Sequence, residues 1–111
     1  MPRDFRLYLD DPERIAADEK MDRGGWGSLT RYEQQKIRIP AVVNWGIYES
    51  AYFANERGVL GDPEWLRFQT AICRRYASHQ SIWNAEGFTS MDELLTPQFT
   101  EFVKRSCTQK R

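Results

Sequence analysis

Gly61-Asp62-Pro63-Glu64-Trp65-Leu66-Arg67-Phe68-Gln69-Thr70-Ala71-Ile72-Cys73-Arg74-Arg75-Tyr76 reads as a helix from its first residues. Proline tolerates the opening helical turn, because its missing N–H falls among amides that have no intrahelical partner, and the flanking acids favour the positive end of the helix dipole. Behind them Trp65, Phe68, Ile72 and Tyr76 recur at three- and four-residue steps. That period places them on one face, with Leu66 and Cys73 at its borders.

The same logic extends outward. The link from Arg57 to Asp62 is so short that it predicts an antiparallel hairpin with the preceding helix. That helix opens at Thr30-Arg31-Tyr32-Glu33, a capping box, and carries Val42, Trp45, Tyr48 and Tyr52 along one stripe before Arg57-Gly58 closes it. Pro40 interrupts it, removing a hydrogen bond and crowding the turn before, so a kink or break is expected between about Arg38 and Ala41. Further upstream, Gly24-Gly25-Trp26-Gly27 predicts a turn with Trp26 folded back on the core, and Asp11-Pro12-Glu13 predicts a first helix from Pro12 to about Met21. The residues before it, including Phe5, Leu7, Tyr8 and Leu9, fit a short helix or an extended arm equally well. Downstream, a short helix holding Ile82 and Trp83 is expected between Ser78 and Gly87. Thr96-Pro97 opens a last helix with Phe99, Phe102 and Val103 inward, and from Lys104 to Arg111 the chain reads as a flexible basic tail.

No alternating strand pattern and no internal repeat interrupts this series. The expectation is an all-α single-domain bundle of about five helices with a central antiparallel hairpin, spanning residues 1–111 with 1–10 as an arm. At 111 residues, with 14% aromatic side chains, the chain has enough ring area to close a core without a metal or disulfide staple.

Sixteen acidic and sixteen basic side chains cancel, so no global field draws in a polyanion, and nucleic-acid binding is not expected. Local charge is uneven: Asp10, Asp11, Glu13, Asp18, Glu19 and Asp22 read as a solvated acidic face on the first helix. Cys73 and Cys107 are too few and too far apart for a disulfide framework or a CxxC redox or zinc signature, and Cys73 beside the apolar stripe reads as an inert core thiol. With no long apolar run and no signal-peptide pattern at Met1-Pro2-Arg3-Asp4, a cytoplasmic protein is expected of the chain as given.

His79 is the lone histidine, so a histidine-rich metal site is excluded, and a surface or helix-end role is the expectation. No catalytic set, metal or cofactor is expected. Asn44 and Glu49 are the polar residues of interest, set among Trp45, Tyr48 and Tyr52 on an apolar helix. A partly buried carboxylate there must be hydrogen-bonded, paired or protonated. Two readings follow. In one, Glu49 caps a neighbouring helix or pairs with Arg67 or Arg74; in the other, Asn44, Glu49 and the three rings line a small-ligand or enzymatic pocket.

Asp11-Pro12-Glu13, Leu29-Thr30-x-x-Glu33, the aromatic helix with Asn44 and Glu49, Gly58-Val59-Leu60-x-Asp62-x-Glu64-Trp65, Trp83 and Thr96-Pro97-x-Phe99 together resemble a loosely defined group of bacterial helical proteins of unknown function. Many of these carry an N-terminal membrane helix. Over residues 10–103 the resemblance implies an α-helical domain beside a membrane, with no catalytic residues to carry over. Here the anchor is lacking, so the expectation is either a soluble member or a chain attached to a membrane through a removed upstream anchor. Abundant rings without a catalytic set favour a helical protein-interaction or scaffold module, binding a protein partner or itself, over an enzyme.

Overall fold

The computed structural model describes residues 11–108. The segment before Asp11, including Asp10, and the end of the basic tail, Lys110 and Arg111, lie outside the described residues. The fold is all-α: the described residues form six α-helices and one 3-10 turn, with no strand. In chain order the helices are α1 (Pro12–Gly24), α2 (Arg31–Glu56), α3 (Asp62–Ser78), α4 (Gln80–Trp83), α5 (Met91–Leu94) and α6 (Pro97–Thr108). The chain divides into two compact units, Met1–Ala41 and Val42–Arg111, with the boundary inside α2.

In the first unit, Asp11 caps α1 by accepting from the amides of Glu13 and Arg14 at 3.1 and 3.4 Å. The helix runs one turn further than the apolar pattern indicates and stops at Gly25, whose φ of +82° suits a residue without Cβ. The 3-10 turn Trp26–Ser28 leads to α2, and Trp26 is half-buried there instead of being enclosed. At the start of α2 the capping box forms as expected: Glu33 N donates to Thr30 Oγ1 at 3.2 Å, and Thr30 N donates to Glu33 Oε1 at 2.8 Å.

The acidic side of α1 is not merely solvated. Lys36 Nζ reaches Asp11 Oδ2 at 2.8 Å and Glu13 Oε1 at 3.3 Å, and the Tyr32 hydroxyl donates to Glu13 at 2.6 Å. Lys36 therefore holds the Asp11 carboxyl below its ordinary range, and Tyr32, then Lys36, does the same for Glu13. Lys20 adds a 2.9 Å ion pair to Glu33. These bonds join α1 to α2 above a small core of Ala17, Leu29, Ile37 and Ala41.

Pro40 does not break α2, which is helical from Arg31 to Glu56. Proline forfeits one backbone bond, to the carbonyl four residues before, but the bonds on either side of that gap keep the helix running. The helix ends where Gly58 takes φ +75°, with the amides of Gly58 and Val59 bonded back to the carbonyls of Asn55 and Ala54.

The second unit is organised by rings. Tyr48 meets Phe68 and Tyr52 meets Trp65, at centroid distances of 6.4 and 6.1 Å, the order of an antiparallel pair. Helix α6 packs against α3, with Trp65 against Phe102 at 5.7 Å and a covalent joint further along both helices. That joint corrects the reading of Cys73 as an inert thiol: Cys73 and Cys107 form a disulfide across a Cα separation of 4.9 Å. Sequence spacing gave no hint, because the pairing depends on how α3 and α6 pack. The tail from Lys104 is likewise helical to Thr108, and Lys104 pairs with Asp92 at 2.9 Å.

Helix α5 is absent from the sequence reading. Its signal was present in Ser90-Met91-Asp92-Glu93, where Ser90 Oγ accepts from Asp92 N at 3.0 Å. It turns Met91 into the core and Asp92 toward Trp83, whose indole N–H donates to Asp92 Oδ1 at 3.1 Å. Burial raises the Asp92 pKa, but Lys104 and Trp83 outweigh it and hold the carboxyl below its ordinary value. Trp45, Trp83, Phe99, Ile72, Ile82, Met91 and Val103 form the sealed interior.

Candidate functional site

Helix α2 places Trp45, Tyr48 and Tyr52 on its inward face, and all three are buried. Trp45 is the centre: Trp83 stands edge-on to it at 4.7 Å, Tyr48 at 5.3 Å, and Phe99 lies at 6.3 Å. Its indole N–H donates to His79 Nδ1 at 3.1 Å. That bond assigns the histidine proton to Nε2, because Nδ1 accepts only in the neutral ring. Burial, then the charge of Arg75 one turn away, pushes His79 down to about 4. The residue is thus a helix-end histidine that closes α3, held neutral by its surroundings.

The consequence for stability has a definite sign. His79 is lowered in the folded protein to about 4 from an ordinary 6.5, so below pH 6.5 the unfolded chain binds the proton first. Stability should therefore fall as pH drops from 6.5 toward 4, by about 1 to 2 kcal/mol after solvent screening of the partly exposed ring. Thermal unfolding across that window checks this. His79→Gln, which can still accept from Trp45 but does not titrate, should flatten the slope there.

Glu49 lies half-buried on the flank of α2. Its Oε2 accepts from Thr96 N at 2.7 Å, so it satisfies a free amide at the start of α6, alongside Thr96 Oγ1, which accepts from Phe99 N at 3.4 Å. No ion pair joins it to Arg67 or Arg74 among the described residues. Glu49→Ala should cost about 1 kcal/mol by stranding that amide, while Glu49→Gln keeps an acceptor and costs less. Denaturant titration of both variants distinguishes them. Tyr52 faces the same helix, its hydroxyl accepting from Gln98 Nε2 at 3.2 Å. Asn44 is half-buried one position before Trp45. The five residues singled out by sequence thus share a helix, but Trp45 and Tyr52 are committed to the interior, and Glu49 to α6.

Tyr48 reaches an open cavity. Its ring, with Phe68 and Ala71, forms the apolar wall of a depression of about 310 Å³ rimmed by Glu64 and Arg67. Two further depressions share its walls, one of about 360 Å³ at Leu66, Arg67, Thr70, Ala71 and Arg74, the other of about 230 Å³ at Tyr48, Ala71, Arg74, Arg75 and Ser78. Together they follow one side of α3. The sequence reading takes Arg67 and Arg74 only as partners for Glu49, and does not contain the face they share with Arg75. The signal was the recurrence of 64, 67, 68, 71, 74, 75 and 78 at helical spacing, beside the inward stripe.

These three arginines form no ion pair among the described residues. Leu66, which lines the second of these depressions, is 63% exposed, and elsewhere in this unit Val43 and Ile47, one turn apart on α2, are 55% and 53% exposed. Among the described residues no cluster of His, Cys, Asp and Glu is arranged to hold a metal, and no helix is long and apolar enough to cross a membrane. No family model, curated protein or solved structure matches this chain.

Proposed function

We propose that this protein is a helical interaction module whose working surface is the side of α3 that carries Arg67, Ala71 and Arg74, together with Tyr48 of α2. The observation that carries the reading is the run of three depressions that share walls along one side of α3, with exposed Leu66 lining one of them. Apolar side chains scattered singly need no explanation, but Leu66 in the wall of an open depression fits a contact surface. The Cys73–Cys107 bond supports work in an oxidising compartment, since reducing cytosol keeps such pairs open. Intact mass after alkylation of the native protein without reductant tests that part.

The surface itself is tested by a photo-crosslinking side chain placed at Leu66 or Thr70 in the full chain, in its own cells, with exposed Glu86 as the control position. Discrete adducts from Leu66 and Thr70 but not from Glu86 are the expected result. An adduct of twice the 13.1 kDa chain mass identifies self-association. Equal labelling at all three positions, or none at any, overturns the reading.

A further inference from the structure

We infer that the face of α3 receives an amphipathic helix of a partner protein whose acidic side chains answer Arg67 and Arg74. This rests on the interaction-module reading and adds the partner's chemistry. The groove runs from Glu64 to Ser78, fourteen residues of one helix and so about 21 Å. Its floor is apolar, Tyr48, Phe68 and Ala71, and its rim is basic, Arg67, Arg74 and Arg75. A groove four helical turns long with an apolar centre matches a second helix, which lays apolar residues three and four apart into that centre and leaves its flanking positions to meet the polar rim.

The charges choose the sign of the partner. Arg67, Arg74 and Arg75 are exposed and form no ion pair among the described residues, so a carboxylate can approach each without first displacing a partner. Arg67 and Arg74 stand seven residues apart, two turns or about 10 Å, which is also the spacing of acids at positions i and i+7 on a facing helix. Glu64 closes the other end of the groove. A uniformly anionic surface, such as a bilayer of acidic lipids or a nucleic-acid backbone, would meet repulsion there, whereas a helix can present acids at one end only. A second copy of this chain does not supply the ligand through α1: its acids are there, but Asp11 and Glu13 are held by Lys36 and its few apolar residues form no face.

The test uses the oxidised full chain and a synthetic helical peptide of about eighteen residues, with a leucine stripe and glutamates two turns apart. A matched peptide carries lysines in place of the glutamates. The glutamate peptide should bind, and the triple reversal Arg67→Glu, Arg74→Glu and Arg75→Glu should weaken it about tenfold or more. The lysine peptide should show the opposite order, weak on the natural chain and restored on the reversed one. That exchange cannot come from misfolding, which would abolish both. Equal binding of the two peptides, or of neither, overturns the inference, as does tighter binding to anionic phosphatidylserine vesicles or to single-stranded DNA than to the glutamate peptide. Failure of the peptides with photo-adducts still forming at Leu66 would discard the acidic partner and leave the interaction surface standing.

Discussion

Reducing the Cys73–Cys107 bond should lower the unfolding free energy by about 4 kcal/mol, and the melting temperature by on the order of 20 °C. The argument concerns the unfolded chain. A link across a sequence separation of 34 residues denies the denatured ensemble the conformations in which those ends lie apart, and that restriction is lost on reduction. The folded state keeps its ring contacts between α3 and α6, so the helices should remain formed at low temperature. Thermal unfolding followed by circular dichroism, with and without dithiothreitol, reads the difference. Cys73→Ser combined with Cys107→Ser should melt like the reduced protein and ignore the reductant. A shift of only a few degrees would mean that the pair contributes little to the folding balance.

What the sequence shows and what it hides divide along a physical line. Helix starts and stops are local: the hydroxyl of Thr30 and carboxylate of Glu33, the acid and proline at Asp11-Pro12, and the left-handed glycine at Gly58 all act within four residues, and each is where the sequence places it. The inward faces of α3 and α6 are legible for the same reason, since Ile72, Phe99 and Val103 repeat with the helix itself. Pro40 is a harder case, because its local penalty is real but is outweighed along a helix of 26 residues. Long-range partners leave no local trace. Glu49 sits 47 residues from Thr96, and Lys36 sits 25 from Asp11, and nothing in either neighbourhood names the other. The sequence reading did include a helix cap among the roles of Glu49, on the sole ground that a carboxylate in an apolar setting must be satisfied. The α3 groove escaped notice because its apolar floor needs a ring from α2 to complete it.

Trp45→Ala should destabilise the protein by about 3 to 5 kcal/mol, the range for deleting a large buried ring. Trp45 has no exposed surface, and its loss removes the common neighbour of Tyr48, Trp83 and Phe99. Trp45→Phe separates packing from polarity. It keeps a ring in the interior but takes away the N–H that His79 Nδ1 accepts at 3.1 Å, leaving a half-buried acceptor unsatisfied. That should cost about 1 to 3 kcal/mol, less than the alanine change. The two effects carry different signatures at His79. Because the bond from Trp45 exists only with a neutral ring, its removal favours protonation, and His79 should titrate above its native value of about 4, while Arg75 and burial still hold it under 6.5. Proton NMR of the single histidine reads the shift directly. An unchanged titration in Trp45→Phe would mean that burial and Arg75 alone set the histidine's charge, and the indole bond would then be a packing contact with no electrostatic consequence.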